Sequence, residues 1–526
     1  MNIKNILVVG GGSSGWMTAS LFTKYFNGDV NVTLVESPTI PKVGVGESTL
    51  INFNHFLTLC GLKDKDWMKA CNATYKNSIK FTNFSKIGED FQYPFGGSRV
   101  PRSIYGWAQL AAKYDLPSSS FCQFMNAGNY LLAEWNRQTD NRHKVLKNFD
   151  FQAGTAYHFD AELFANYLRD EVCLPNGVVH HMDDIVGVEK DDEGYVTSVV
   201  GESGKYDADL YIDCSGFRSI LLEKEMGSEF LSYKPWLSND SAYATHIPYT
   251  DKEEQLTNVT ECTAIENGWV WNIPLWENMG TGYCYSSDFV DDETALKEFK
   301  NHLGIEDIEV KKIDIKHGMR KDAWVKNVVG VGLAYAFVEP LESTSLISTH
   351  QILGMIVELL ERRRFNVNQF DLDGFNYSAS IVMSGYRDFV SHHYRLSSRT
   401  DTPYWKYHTQ EKDYHNLGKD MDFYPTSLDV GGSTFDDAYE MLMFHHQHEH
   451  IWDVDHLGMA YIMAGMGYRP MSKYLLDWIR NDDPETDEKL LKLFEEWTED
   501  YKNTEKFVNT LPSSLEFLKQ HIYGYE

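Results

Sequence analysis

Several short stretches of this chain combine residue types and spacings that suit the holding of a large, phosphate-bearing ligand. Gly10, Gly12 and Gly15 form G-x-G-x-x-G. In this pattern the first glycine permits a tight turn, the second lets backbone approach a pyrophosphate, and the third lets a helix pack close to a strand. Ser13 and Ser14 open the helix behind the turn, and its first N–H groups face an anion. Glu36 ends the next strand, the place from which a carboxylate holds a ribose hydroxyl. Gly44 and Gly46 precede Glu47, Ser48 and Thr49, a second site of close backbone approach. Ser343, Thr344 and Ser345 stand before the helical run Leu346 to Arg362 and repeat the strand-to-helix-start device. Asp213-Cys214-Ser215-Gly216 gives small residues after a strand once more. A plain glycine turn explains any one of these segments, but together they suit one extended dinucleotide.

Other residues carry chemistry of a different kind. Lys80 lies in the alternating run Asn-Ser-Ile-Lys-Phe-Thr-Asn-Phe, a strand with Ile79 and Phe81 facing away from it. By pattern alone it is a solvated lysine. Trp269 and Trp271 share one face of the strand Gly-Trp-Val-Trp-Asn-Ile-Pro, where two indoles either wall a pocket or pack on a helix. His445, His446, His448, His450 and His456 cluster, but H-E-x-x-H is absent and no metal is assigned.

The elements that position these residues read as α/β. An apolar, β-branched strand (Ile3 to Val9), a helix from about Ser14 to Phe26 and a strand (Val30 to Val35) make the first unit. Gly44 to Thr49 is expected to open another helix, capped by Ser48 or Thr49. A loop-rich excursion over about 90–150 carries Trp107, Phe121, Phe124 and Trp135. Strands follow at 178–188 and 208–214, with a Glu193-Gly194 turn between them, and at 268–276 and 280–287. Beyond Arg399 helical periodicity dominates. The resulting division is a nucleotide-binding domain over 1–395 and a helical substrate-binding module over 396–526.

The 526 residues are 42% hydrophobic and 24% charged, a globular balance. A net charge of −29 argues against nucleic acid and anionic membrane as partners. No apolar run is long enough to span a bilayer. The chain starts on a buried strand without a leader pattern, and its seven scattered cysteines read as reduced thiols. A cytoplasmic protein is expected, with a homo-oligomer left open.

In combination these motifs resemble one family. Gly-Gly-Gly-Ser-Ser-Gly-Trp at 10–16, Gly-Val-Gly-Glu-Ser-Thr at 44–49, Ile-Lys-Phe at 79–81 and Asp-Cys-Ser-Gly-Phe at 213–217 are similar to those of the flavin-dependent tryptophan halogenases. So are Gly-Trp-Val-Trp-Asn-Ile-Pro at 268–274, Phe-Val-Glu-Pro-Leu-Glu-Ser-Thr at 337–344 and Arg-Thr-Asp-Thr-Pro-Tyr-Trp at 399–405. The resemblance implies an FAD/NAD(P)-binding, Rossmann-like domain of hydroxylase type. It implies that FAD, reduced by a separate flavin reductase, uses O2 and halide to make hypohalous acid. The acid would travel through a tunnel to Lys80 and halogenate a small aromatic substrate, assisted by Glu342. By the same resemblance Gly12, Glu47, Ser48, Ile185, Leu333 and Leu346 contact FAD, and Thr344 and Ser345 bind halide. Tyr93, Phe95, Trp269, Trp271 and Trp452 would line the substrate pocket. The lysine role calls for a pKa lowered by burial.

The chain departs from the family at three points, one being Tyr93, which precedes Pro94 and Phe95 where the family often carries histidine beside the pocket phenylalanine. Ser345 stands where glycine is usual, which adds a Cβ to the halide site. The tyrosine-rich segment that grips a free amino acid is not evident around Tyr439 to Trp452, so free tryptophan and a different indole, phenol or other activated arene all stay open as substrates. The competing readings are an aromatic hydroxylase sharing the FAD segments and a flavin-binding protein without chemistry.

Overall fold

A computed structural model describes residues 1–40, 46–96, 107, 110–111, 113–140, 146, 149–414, 456–467 and 484–524. The chain forms two compact units that interleave along the sequence. One comprises Met1–Ala73, His158–Leu237 and Ile315–Ser384, the other Thr74–Tyr157, Ser238–Asp314 and Gly385–Glu526. The sequence-based division at residue 395 differs from these units. Composition changes near Arg399, but the units follow sheet pairing between segments distant in sequence, which composition does not register.

The first unit is built on a six-stranded sheet in the order Trp324–Val325, Val328–Gly330, Leu210–Asp213, Asn5–Val9, Asn31–Glu36, Val179–Met182. All neighbours are parallel except the edge pair Trp324–Val325 with Val328–Gly330. Asn5–Val9 is central, and Ile6, Leu7 and Val8 are buried. This placement accounts for its unbroken apolar run, since a parallel strand is covered on both faces. The helix Ser13–Phe26 buries Trp16, Met17, Leu21 and Phe22 and so is anchored behind the glycine turn. The second strand runs one residue later than expected and includes Glu36. A hairpin of Ile185–Lys190 with Val196–Gly201 is antiparallel, and Gly194 takes φ +79° at its turn.

One expected element is corrected. Gly46–Ser48 is a strand, paired antiparallel with residues 158–160. The helix begins only at Phe53 and ends at Cys60. Ser48 therefore ends a strand, Thr49 follows it, and the N-cap position of the helix falls to Asn52. Gly44 lies outside the described residues.

The second unit is organised on a seven-stranded sheet, Lys311–Asp314, Ser241–Ile247, Met279–Tyr285, Gly268–Pro274, Val259–Ala264, Ser78–Thr82, Asp90–Pro94. Its neighbours are antiparallel apart from Val259–Ala264 with Ser78–Thr82. The helix Asp292–Leu303 packs Ala295 and Phe299 against Tyr243, Val270, Tyr283 and Tyr285. Among the described residues beyond Arg399 the long elements are helices, His456–Gly465 and Pro484–Val508, preceded by the helix Gln369–Arg395; the expected helical runs at 435–444 and 474–479 lie outside the described residues.

Candidate active site

In the first unit the glycine turn is shaped as a cradle, and each glycine has a separate reason to be there. Gly10 has φ +117°, and a Cβ on it would lie 2.3 Å from the Cys214 carbonyl oxygen. A Cβ on Gly15 would lie 1.8 Å from the Gly10 carbonyl oxygen, so helix and turn touch there. A Cβ on Gly12 meets nothing within 4 Å. That open position heads a 14-residue helix whose start has no side-chain cap. Turn, space and oriented N–H groups suit a pyrophosphate. The residues present therefore fit a dinucleotide.

The other segments expected at the cofactor gather around the same turn. Glu36 is buried, close enough that a Cβ on Gly11 would clash with its carboxylate. Its Oε1 lies 3.0 Å from Nε2 of His180 on the adjacent strand. Burial lowers the His180 pKa although Glu36 opposes the shift. Asp183, whose N–H donates to the Glu36 carbonyl at 2.9 Å, lies two residues before Ile185, which opens the strand Ile185–Lys190. Ser13 donates its hydroxyl to the Ala161 carbonyl at 3.3 Å. Leu333 follows Gly332, where a Cβ would lie 2.8 Å from Ser14 Cβ. Glu47 is partly shielded from water, and desolvation pushes its carboxyl up to about 7.

A second feature of this unit is the turn Pro340–Glu342 and the helix Thr344–Arg362 that follows it. Glu342 is fully buried, as is Glu339. Ser343, at φ +57° and ψ +34°, is left-handed, an unusual state for a residue with a Cβ. No side chain caps the helix. Thr344 turns its hydroxyl back to the Val338 and Glu339 carbonyls, at 3.3 and 3.0 Å. Among the described residues the first-turn N–H groups of Thr344, Ser345 and Leu346 meet no side-chain cap, and the helix dipole there favours an anion. Thr344 and Leu346 are buried and Ser345 is partly so.

In the second unit the register of the sheet separates residues that looked alike in sequence. Trp271 pairs with Cys262, Cys262 with Phe81, and Phe81 with Phe91. This row lies on one face together with Ile79, Tyr93 and Trp269, because side chains alternate along each strand. The indoles of Trp269 and Trp271 lie 5.9 Å apart, and Trp271 covers Gly282, where a Cβ would lie 2.1 Å from the ring. Tyr93 meets Phe95 edge-on at 5.6 Å and stacks on Tyr461 at 5.6 Å. Trp452 and the histidines at 445–450 lie outside the described residues.

Lys80 lies in the next row, with Glu261 and Gln92, on the opposite face of the sheet. Its Nζ is 2.9 Å from Asp90 and 3.6 Å from Glu134. Burial alone would lower its pKa, but Asp90, Glu134 and Glu261 outweigh burial and hold it above the ordinary lysine value. The expectation of a depressed pKa at Lys80 is therefore corrected. The structure draws attention instead to Lys76, on the short strand Thr74–Lys76. Lys76 is 0% exposed, and its Nζ lies 5.0 Å from the centre of the Phe95 ring. Tyr461 is the other residue that sequence reading missed. For Lys76 the signal was present but ambiguous, two lysines four apart in one β-rich run. For Tyr461 there was none.

The first unit thus carries the glycine cradle and the uncapped helix behind a buried glutamate, and the second unit carries the paired indoles. Residues 5–478 match the model of the family described as tryptophan halogenase. The chain belongs to the tryptophan halogenase family. It is 32% identical over 542 residues to tryptophan 7-halogenase RebH of Lentzea aerocolonigenes, spanning 98% of each chain. It is 36% identical over 439 residues to tryptophan 6-halogenase SttH of Streptomyces toxytricini, spanning 77% of this chain and 81% of that one. The solved VirX1 apo structure superposes with a TM-score of 0.88 at 44% identity, over 99% of this chain and 100% of that one. The protein is thus an α/β flavin-dependent halogenase, and FAD is the cofactor its family implies. Among the described residues no helix is long and apolar enough to cross a membrane, and all seven cysteines are buried free thiols.

Proposed function

We propose that this halogenase uses reduced FAD, O2 and a halide (chloride, bromide or iodide) to halogenate an electron-rich arene of indole or phenol type. A separate flavin reductase delivers the reduced cofactor, which with O2 and halide supplies electrophilic halogen as hypohalous acid. Gly10, Gly12, Gly15 and the first N–H groups of the Ser13–Phe26 helix hold the pyrophosphate, and Glu36 holds a ribose hydroxyl. Ile185, Leu333 and Leu346 supply apolar contacts, and Glu47 and Ser48 meet the cofactor from the strand Gly46–Ser48. Thr344 and Ser345 bind halide through backbone N–H.

Lys76 presents the hypohalous acid to the substrate. It does so either by N–H donation to the oxygen or by forming an N–halogen bond with loss of water. Once the ring carbon has taken the halogen, Glu342 accepts the proton that leaves it. Its carboxylate also stabilises the cationic ring before that loss. Tyr93, Phe95 and Tyr461 form an aromatic wall for the substrate, and Trp269 and Trp271 screen the substrate from direct oxygen transfer.

The observation that carries this reading is the turn at 340–344: a fully buried carboxylate directly before a helix start that no side chain caps. A hydroxylase needs no anion site there. The test is incubation with a flavin reductase, FAD and each halide against indoles and phenols, read by product mass. A halide-dependent gain of halogen supports the proposal. A gain of oxygen that is indifferent to halide overturns it in favour of a hydroxylase.

A further inference from the structure

Serine at the position before a helix ordinarily turns its oxygen onto the N–H groups of its own first turn. Ser343 does not. Its hydroxyl donates to the Ser48 hydroxyl at 3.0 Å, with both side chains buried. Its backbone is held left-handed, and its N–H donates to the Pro340 carbonyl at 3.0 Å. Thr344 likewise spends its hydroxyl on carbonyls of the preceding turn. Both hydroxyls nearest the helix start are therefore directed away from it. Ser48 ends the strand that carries Glu47, and that strand is fixed by pairing with residues 158–160.

We infer that Ser48 is a positioning residue for the halide site: by engaging Ser343 it keeps the start of the Thr344–Arg362 helix uncapped and in register for an anion. The inference rests on the reading of Thr344 and Ser345 as the halide site. Ser48 touches neither the halide nor the reacting atoms in this role; it acts through Ser343. It also links the anion-binding turn to the segment that bears Glu47.

The test uses the full-length enzyme with reductase and FAD, and compares Ser48→Ala, Ser343→Ala, the double variant and Ser48→Thr. Each single alanine is expected to raise the KM for bromide about three- to tenfold, the size of one net hydrogen bond, with kcat changed less. The double variant should fall short of the product of the single effects, since each single variant already removes the Ser48–Ser343 contact. Ser48→Thr should restore most of the loss. As a readout independent of turnover, the rise of Tm with bromide should shift to higher bromide in both single variants. Single effects that multiply in the double variant, or an unchanged bromide KM alongside weaker FAD binding, overturn the inference. If wild-type turnover shows no saturable dependence on halide, the halide-site reading itself fails, a distinct outcome.

Discussion

Replacing each of the two lysines by methionine separates their roles. Lys80 is one-quarter exposed, and its partners Asp90 and Glu134 are 49% and 36% exposed. Ion pairs so placed contribute roughly 0–1 kcal/mol. After Lys80→Met, Glu134 still accepts from the Gln92 amide at 2.7 Å. Stability should therefore fall by less than about 1 kcal/mol, with product formation within a few-fold of wild type. Lys76 is fully buried beside Phe95. Methionine keeps most of that volume, so the packing against Phe95 is largely preserved. Lys76→Met should therefore fold, bind FAD and consume reduced cofactor with bromide, while brominated product falls on the order of 10²–10⁴-fold, the usual worth of a positioned proton donor. The assay is product mass from a responsive arene, with FAD affinity and Tm measured on the same preparations. Persistent bromination by Lys76→Met together with its loss in Lys80→Met would refute this reasoning.

Further predictions address the cofactor and halide segments. Gly12→Ala places its methyl in open space and should leave the Tm of the FAD-free protein nearly unchanged while weakening FAD binding at least about tenfold. Gly15→Ala, which meets the Gly10 carbonyl, should lower that Tm by several degrees; equal Tm values for the two variants would count against the cradle. Burial raises the Glu47 carboxyl to about 7, so the folded protein holds a proton there that the unfolded chain releases near pH 4.5. This contribution is complete below that value and is lost as pH rises through 7, a span worth about 3 kcal/mol. Glu47→Gln, neutral at every pH, should accordingly gain on wild type in Tm between pH 5.5 and 8, and parallel pH profiles would exclude the linkage. Ser345→Gly should change the relative rates with chloride, bromide and iodide, and constant ratios would remove Ser345 from the halide site.

Much of the first unit was legible because its signals are local. The G-x-G-x-x-G spacing, the buried strand Asn5–Val9 and the apolar run after Thr344 depend on neighbours within a few residues, and backbone sterics and periodicity act at that range. The pairing of Gly268–Pro274 with Met279–Tyr285 was legible for the same reason. The segment at 44–49 misled because glycines followed by Ser-Thr suit a helix start and a short strand equally. Pairing with residues 158–160, more than 100 positions away, decided for the strand.

By itself the sequence determined an α/β chain with a dinucleotide cradle, a helix start suited to an anion and a face bearing Trp269 and Trp271. The tertiary structure decided which lysine is shielded. Lys76 and Lys80 differ little in their local sequence. Asp90 and Glu134 reach Lys80 through strand pairing and helix packing, whereas Phe95 meets Lys76. It also decided that Ser343 serves Ser48 instead of its own helix, across 295 positions of chain. Contacts of that separation are fixed by how sheets and helices pack, and a charge or hydroxyl takes its chemical character from the partner that packing supplies.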